Sequence, residues 1–94
     1  MSLALDLRPA VKRRLGALPE PESSRLWQDL QRVPAAFGRP HLHAGLGIRP
    51  LRPGLWEFRS GLHWRCLFRR EGDWLVVVLL GTHGDVQRYL RNVR

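Results

Sequence analysis

The spacing of the hydrophobic positions changes about halfway along the chain. In the first part they recur every three or four residues, which is the period of an amphipathic helix. This spacing predicts helices over residues 9–18 and 22–33, which begin and end near prolines. Pro9 suits a first helical turn, Pro19 separates the two helices, and Pro34 is expected to end or kink the second. We therefore expect a helical hairpin in the first third of the chain.

After residue 47 the hydrophobic and polar positions alternate, which is the period of a β-strand. Turns rich in glycine and proline separate the alternating stretches. The four predicted strands cover residues 48–51, 55–59, 63–70 and 74–80, and the first of them is alternatively loop. The last is apolar throughout, as in a central strand that is covered on both faces for part of its length. Residues 2–7 also alternate and predict an edge strand, and the glycine-rich residues 38–47, with His41 and His43, predict a loop.

A further helix is predicted directly after the last strand. Thr82 suits the N-cap position, and Asp85 stands three residues later, as in a capping box. The order of the elements predicts one α+β domain over residues 1–94. Its N-terminal helical hairpin would pack on one face of a small antiparallel sheet of four strands (between three and five), and a C-terminal helix would follow the sheet.

The charge of the chain narrows the classes of partner. It has 16 basic residues and eight acidic ones, a net charge of +8, and Lys12 is its only lysine. Arginine binds phosphate through two parallel hydrogen bonds, so this composition favours a nucleic acid or an acidic protein as partner. The one cysteine cannot form an internal disulfide, and no spacing suits a metal, so we expect no cofactor. We find no signal peptide and no membrane-spanning apolar run, and we expect a cytoplasmic protein.

Strand alternation also predicts which side chains face away from the helices. If the helical hairpin covers one face of the sheet, the apolar residues of each strand should point toward it. These inward residues are Trp56, Phe58, Trp64, Cys66 and Phe68. The residues left on the opposite face, in contact with solvent, are Glu57, Arg59, His63, Arg65, Leu67 and Arg69. His83 is expected at the rim of this face, with Arg49 and Arg52 approaching from its other side.

Such a face has the groups that cleave RNA without a metal ion. Attack by the internal 2′-hydroxyl group needs a base for its proton, a cation for the phosphate oxygens and an acid for the leaving 5′ oxygen. Histidine suits the proton transfers because it titrates near neutral pH, and arginine suits the phosphate oxygens because it stays protonated. Alternating charge is also typical of any half-exposed antiparallel sheet, so an ordinary solvated surface is the alternative.

A family resemblance is carried by residues 49–91, which read RPLRPGLWEFRSGLHWRCLFRREGDWLVVVLLGTHGDVQRYLR. This stretch resembles the C-terminal half of the RelE/ParE superfamily, the toxins of type II toxin–antitoxin systems. The shared pattern is a Leu-aromatic-Glu-apolar-Arg strand, an aromatic-Arg-x-x-aromatic strand and a long apolar strand. The helical hairpin at residues 10–33 also stands where the family has its hairpin. The most specific piece, GTHGD at residues 81–85, is similar to the Gly-Thr-His-x-Asp end of the YafQ branch, so the chain resembles most the RelE- and YafQ-like mRNA interferases.

The resemblance implies roles for the residues of the basic face. His83 corresponds to the general acid, and Arg65 corresponds to the arginine that stabilises the transition state. Arg59 stands where RelE-type enzymes have lysine and YafQ-type enzymes have histidine. His63 stands where the YafQ branch has a catalytic aspartate. Together with Glu57, these residues are the predicted catalytic set.

The resemblance also implies contacts with RNA. Arg52 matches a basic phosphate contact before the strand hairpin, and Arg49 stands where some branches have a glutamate or histidine proposed as the base. A guanidinium group cannot accept a proton at neutral pH, so only His63 or Glu57 is left for the base. The predicted RNA-binding residues are Arg49, Arg52, Arg69 and Lys12, and no metal ligand is predicted.

The function implied by the resemblance is that of a type II toxin, a metal-independent mRNA endonuclease that acts on the ribosome and inhibits translation. Two alternatives stay open. A ParE-type toxin has the same fold and inhibits DNA gyrase without nuclease activity, and a RelE-like domain without toxicity would serve in binding. The expected partners are a cognate antitoxin, mRNA and the ribosome. The toxin itself would be a monomer or dimer that forms a hetero-oligomer with its antitoxin, away from any membrane.

Overall fold

The computed structural model describes residues 3–39 and 47–92. The elements follow in the order β1 (Ala4–Leu7), α1 (Pro9–Ala17), α2 (Glu22–Ala36), β2 (Ile48–Arg52), β3 (Leu55–Ser60), β4 (Trp64–Glu71), β5 (Trp74–Gly81) and α3 (His83–Asn92). The predicted order of helices and strands is confirmed, and residues 48–51 belong to a strand. Most of the predicted loop, with His41 and His43, lies outside the described residues.

The five strands form one sheet in the order β1-β5-β4-β3-β2. Strands β2 to β5 are antiparallel neighbours, as the short turns between them require. β1 is confirmed as an edge strand, but it runs parallel to β5, with Leu5 opposite Leu75 and Leu7 opposite Val77. The predicted antiparallel sheet is therefore confirmed for β2 to β5, whereas the β1–β5 pair at this edge is parallel. A parallel pair needs a long connection, and the chain between β1 and β5 supplies it.

Helices α1 and α2 cover one face of the sheet and form the main core with it. The helical residues of this core are Val11, Leu26, Leu30, Val33 and Ala36. The strand residues buried with them are Ile48, Phe58, Cys66, Phe68, Leu75, Val77 and Leu80. Trp56 and Trp64 are half-buried against the same core, so all five predicted inward residues point to the hairpin.

Helix α2 continues past Pro34 to Ala36, so the proline does not end it. Proline inside a helix removes a backbone hydrogen bond and costs about 3 kcal/mol. Val33 and Ala36, on either side of it, are both buried against the sheet. Burial of these two side chains offsets part of that cost and keeps the last turn helical.

Helix α3 packs against β4 and β5 on the opposite face of the sheet. Val86 is buried there, and so are Leu67 and Val76, which point away from the main core. The prediction that Leu67 faces solvent is wrong, because the alternation that placed it on this face does not say what covers the face. Over β4 and β5 the sheet therefore lies between two helical layers.

Within residues 3–39 and 47–92, no helix is both long and apolar enough to cross a membrane. The same residues contain no group of three or more His, Cys, Asp and Glu side chains placed to hold a metal ion.

Cys66 should not react with thiol reagents while the protein is folded. Its side chain lies in the core, and burial raises the pKa of the thiol to about 12 because a thiolate would lose its hydration there. The thiolate is the reactive species, so it is scarce at pH 8 even where a reagent can enter. We expect no labelling by a chromogenic disulfide at pH 8, and complete labelling of this one thiol in guanidinium chloride. Equal labelling rates in the two solutions would contradict the buried position.

Candidate functional site

The face of the sheet opposite α1 and α2, called the α3 face below, brings four of the predicted site residues together. Arg49 on β2 pairs with Glu57 on β3, and Glu57 pairs with the buried Leu67 on β4. In the next row Arg59 on β3 pairs with Arg65 on β4. Paired side chains of antiparallel strands have Cβ atoms about 5 Å apart, so these residues form one cluster.

Glu57 is the centre of this cluster and is completely buried, with 0% of its surface exposed. Arg49 Nε donates to Glu57 Oε1 at 3.0 Å, and Arg65 Nη1 lies 3.3 Å from Oε2. The prediction that Glu57 faces solvent is therefore wrong. It lies on the predicted face, but the two arginines and Leu67 enclose it. A buried carboxylate keeps its charge only with partners of this kind.

Glu57 fixes the position of Arg65. The Arg65 side chain is 16% exposed, whereas that of Arg49 is 56% exposed. Within the described residues, Nη1 is the only atom of the Arg65 guanidinium group with a hydrogen bond. The other nitrogens of a planar guanidinium fork stay available for an anion, which would meet a side chain already held in one orientation.

Arg59 is exposed beside Arg65 and forms no ion pair with any acidic side chain of the described chain. Two like charges directly opposite each other destabilise a pair of strands. Glu57 compensates the charge of Arg65 but not that of Arg59. An anion such as a phosphate group would relieve the remaining repulsion, so this pair is a candidate anion site.

His83 is exposed at the first position of α3, immediately beyond the end of β5. The predicted capping box is confirmed: the Thr82 N–H donates to Asp85 Oδ2 at 2.8 Å, and the Asp85 N–H donates to the Thr82 hydroxyl oxygen at 3.3 Å. A Cβ atom on Gly81 would lie 2.6 Å from the Asp85 side chain. Glycine is therefore required at the end of β5 for this cap to form next to Arg65, the partner of Gly81 in the sheet.

A chain of contacts ties the first turn of α3 to both N-terminal helices. Asp85 Oδ2 lies 3.3 Å from Arg14 Nη2 of α1, and Arg88 pairs with Oδ1 of the same carboxylate. The Arg14 Cζ atom lies 5.5 Å from the centre of the Trp64 ring, a cation–π contact. The Trp64 indole N–H donates to Glu22 Oε2 at 2.7 Å. These contacts hold the start of α3, with His83, against the start of β4.

The same contacts lower the pKa of Asp85. The largest cause is the hydrogen bond from the backbone N–H of Thr82. The hydrogen bond from the Thr82 hydroxyl and the charges of Arg14 and Arg88 lower the pKa further. Desolvation acts in the opposite direction, but the sum of the other effects outweighs it. The ionised form of Asp85 is therefore the form that stabilises the fold.

Replacing Asp85 with asparagine should lower the free energy of unfolding by about 1 kcal/mol at pH 7, because the amide lacks the negative charge that the helix N-terminus, Arg14 and Arg88 stabilise. Because the folded-state pKa is lowered, the contribution of the wild-type carboxylate is present above about pH 4 and is lost as the pH falls through the folded pKa. Urea denaturation of both proteins at pH 7 and pH 3 measures this. We expect the difference to shrink at pH 3, and a difference independent of pH would contradict the role of the charge.

His63 lies in the turn between β3 and β4 and is exposed. The predicted strand over residues 63–70 thus begins one residue later, at Trp64. Arg65 pairs with Gly81, so the start of β4 and the end of β5 meet at one end of the sheet. His63 and His83 therefore both belong to this end, each two residues away from that pair.

Three of the predicted RNA-binding residues lie outside the cluster of Arg49, Glu57, Arg59 and Arg65. Arg52 Nη2 donates to the backbone oxygen of Leu90 at 2.5 Å, so Arg52 binds the last turn of α3. Arg69 is exposed farther along β4, with its Nε 2.6 Å from Glu71 Oε2. Lys12 lies on α1, in a groove with Leu15 and Trp27 on the other side of the sheet. The structure does not bring Lys12 to the α3 face.

Sequence reasoning missed the part of Arg14, Trp64 and Glu22 in holding the start of α3. Residues from three elements meet there, and no local spacing in the sequence relates them. The only local signal was the Thr82–Asp85 capping pair, which marks the start of the helix but not the surface on which it docks.

Comparison with known proteins bears on the fold. No protein-family model matches the chain, and no curated protein sequence matches it. A chain in the crystal structure of the toxin–antitoxin complex RelBE2 from Mycobacterium tuberculosis is similar, with 19% sequence identity and a TM-score of 0.55. The similarity covers 88% of this chain and 100% of that chain. The RelE-like fold predicted from the sequence is therefore confirmed.

Proposed function

We propose that this chain is the toxin of a type II toxin–antitoxin system and that it cleaves mRNA on the ribosome without a metal ion. The observation that carries the proposal is the Arg59–Arg65 pair, two arginines opposite each other on neighbouring strands. Glu57 contacts only Arg65 of the two, and a histidine lies at the same end of the sheet. The similarity to a chain of a toxin–antitoxin complex supports the same class. We expect the protein in the cytoplasm.

In the proposed reaction the scissile phosphate binds over Arg59 and Arg65. The 2′-hydroxyl group attacks the phosphorus atom, and negative charge grows on the nonbridging oxygens. Arg65 would stabilise this charge through nitrogens that Glu57 leaves available. Because Glu57 already holds the side chain, little conformational entropy is lost when the phosphate binds.

His83 would donate the proton to the leaving 5′ oxygen. It is exposed at the first position of α3, directly after β5, on a helical turn that the capping box and Arg14 fix in place. Imidazole suits this transfer because its ordinary pKa lies near neutral pH.

His63 is the proposed base for the 2′-hydroxyl proton. Of the two bases that the sequence offered, Glu57 is buried and its oxygens accept from two guanidinium groups. A buried carboxylate in that position cannot reach the 2′-hydroxyl group. Its oxygens already accept hydrogen bonds from the two arginines, so they are not available to accept the proton. His63 is exposed at the same end of the sheet and has no such restriction.

The test is expression of the chain in growing bacteria from a tightly controlled promoter, with primer extension to map the 5′ ends of mRNA. New ends that are absent from the His83→Ala variant would support the nuclease. Uncut mRNA with arrested growth would rule the nuclease out. Neither arrest nor cleavage, with folded protein in the cells, would leave only a RelE-like binding domain without toxicity.

A ParE-type inhibitor of DNA gyrase is the second candidate. The burial of Glu57 favours it, since this removes one of the two possible bases from the site. The same expression experiment separates the candidates, because gyrase inhibition would leave mRNA intact and accumulate gyrase-cleaved DNA.

The proposed protein partner is an antitoxin encoded beside this chain. With a net charge of +8, the toxin would bind an acidic or amphipathic segment that covers the α3 face or displaces α3. We expect the affinity of the complex to fall steeply as the concentration of sodium chloride rises from about 0.05 to about 0.5 M, since salt screens exposed charges. Isothermal calorimetry at several salt concentrations measures this, and an affinity independent of salt would contradict charge neutralisation.

A further inference from the structure

Arg14, near the C-terminal end of α1, contacts both of the elements that carry the proposed catalytic residues. Its Nη2 atom lies 3.3 Å from Asp85 Oδ2 in the first turn of α3, two residues after His83. Its Cζ atom lies 5.5 Å from the centre of the Trp64 ring at the start of β4, and Trp64 directly precedes Arg65. One side chain therefore joins the turn that begins with His83 to the strand that carries Arg65.

Trp64 gives Arg14 a fixed surface on which to rest. The Trp64 side chain is half-buried against the main core, and its indole N–H donates to Glu22 Oε2 of α2 at 2.7 Å. The face of an aromatic ring attracts a guanidinium group because the ring quadrupole is negative there. The contacts with Trp64 and Asp85 thus limit the orientations of Arg14, although 44% of its side chain is exposed.

The other polar contacts of the first turn of α3 lie within the helix and its cap. Thr82 and Asp85 bond to each other, and Arg88, which also pairs with Asp85, is itself a residue of α3. These contacts fix the conformation of the turn but move with the helix. Within residues 3–39 and 47–92, Arg14 is the only side chain of another element that forms an ion pair or hydrogen bond with this turn.

The Arg14–Asp85 contact determines how α3 is rotated about its own axis. Successive residues of an α-helix are about 100° apart around the axis, so His83 and Asp85 lie about 200° apart, on nearly opposite sides of the helix. With Asp85 held toward α1, His83 is directed away from α1. The burial of Val86 against the sheet fixes the rotation less closely, because the hydrophobic effect has no preferred direction.

We propose that Arg14 is a positioning residue for His83 and sets the orientation of the proposed acid relative to the strand of Arg65. The inference rests on the proposed function for the reaction that His83 serves. Arg14 has no contact with RNA in that reaction and acts only through Asp85 and Trp64. Misplacing a reacting group by about 1 Å can slow a reaction roughly 10²-fold, so a loose first turn of α3 should remove part of the contribution of the acid.

Replacing Arg14 with alanine should slow cleavage about tenfold at saturating RNA, since a misplaced acid keeps part of its effect of about 10²–10⁴-fold. Alanine is a good helix former, so α1 should stay intact. The matched control is Arg13→Ala, which removes the same charge from an exposed neighbour that forms no ion pair within the described residues. Both variants should bind uncleavable RNA with 2′-methoxy groups equally well, because this binding responds to the lost charge. Single-turnover kinetics measures the rate, and fluorescence anisotropy measures the binding.

A double-mutant cycle with His83→Ala separates positioning from a general effect on the fold. In the His83→Ala background, Arg14→Ala should slow cleavage by less than about twofold, because the group that Arg14 positions is missing. A purely structural role of Arg14 would lower the rate by the same factor, about tenfold, in both backgrounds.

The orientation of His83 can also be measured without RNA. The chain has four histidines, and the ring signal of His83 in a two-dimensional ¹H–¹³C NMR spectrum is the one missing from His83→Ala. The chemical shift of this signal depends on the position of the ring relative to nearby charged and aromatic groups. The signal should therefore move in Arg14→Ala and stay in place in Arg13→Ala.

An unmoved His83 signal in Arg14→Ala would overturn the proposal whether or not RNA is cut. If the wild type cuts RNA, the same loss of rate in both backgrounds would overturn it too. If the wild type cuts RNA and Arg14→Ala cuts as fast as Arg13→Ala, the reaction is supported and the positioning role fails. If the signal moves only in Arg14→Ala but the wild type leaves RNA intact, the positioning of His83 is supported and the proposed reaction fails.

Discussion

Replacing His83 with alanine is expected to lower the rate of RNA cleavage about 10²–10⁴-fold, the usual contribution of a general acid. The fold should tolerate the change. His83 is exposed, and the cap of α3 is made by Thr82 and Asp85 instead. The free energy of unfolding should therefore change by no more than about 0.5 kcal/mol. A large loss of rate with unchanged stability would separate a chemical role from a structural one.

Single-turnover cleavage of a short RNA measures the rate, and urea denaturation measures the stability. Gln87→Ala, another exposed position of α3, is the matched control and should cleave like the wild type. If His83→Ala cleaves as fast as the wild type, His83 is not the acid.

The elements of this fold were predictable because each has a local signal. The change of hydrophobic period separates α2 from the strands, and the turns between β2 and β5 make an antiparallel arrangement unavoidable. The capping pair Thr82–Asp85 was also predictable, since both residues belong to one helical turn. The parallel pairing of β1 with β5 has no such signal, because the two strands lie far apart in the sequence.

The candidate site was predictable in its members but not in its surroundings. Alternation places Glu57, Arg59 and Arg65 on one face, since a shift by one residue would expose Phe58 and Cys66. Alternation does not reveal which side chains cover that face. The interpretation of Glu57 as an exposed residue failed for this reason.

Charge alone was a poor guide to location. Lys12 belongs to the predicted RNA-binding set, yet it lies on α1, on the other side of the sheet from Arg65. Arg14, two residues farther along the same helix, reaches Asp85 and Trp64 instead. The position of a basic residue along α1 decides which side of the helix its side chain is on. The sequence does not reveal how α1 is rotated about its axis relative to the sheet, so it does not predict which of these residues reaches α3.

The burial of Glu57 changes its part in the proposed reaction. An exposed carboxylate would compete with phosphate for the arginines and repel RNA. A buried carboxylate neutralises one of the two positive charges of Arg49 and Arg65 and holds Arg65 in a single orientation. Arg59 stays exposed, and its charge is not neutralised. We therefore regard Glu57 as a positioning residue for Arg65 rather than a base.

Replacing Glu57 with alanine is accordingly expected to lower the free energy of unfolding by about 3 kcal/mol. Removing one member of a buried ion pair costs roughly 3–5 kcal/mol, because the other charge stays buried without a partner. We expect the lower end of this range. Arg49, at 56% exposure, can turn into solvent, whereas Arg65, at 16%, cannot do so without moving away from β4. Urea denaturation of the variant and the wild type measures the difference.

Glu71→Ala is the matched control, since it removes a carboxylate from the same face of the sheet. The Arg69–Glu71 pair is exposed on both sides, at 45% and 49%, and such pairs contribute about 0–1 kcal/mol. The two variants should thus differ by about 2 kcal/mol or more. Equal losses would mean that Glu57 is not held between Arg49 and Arg65 in solution. The proposed reaction would then lack its reason for a preoriented Arg65, and Arg59 and His83 alone would have to account for any cleavage.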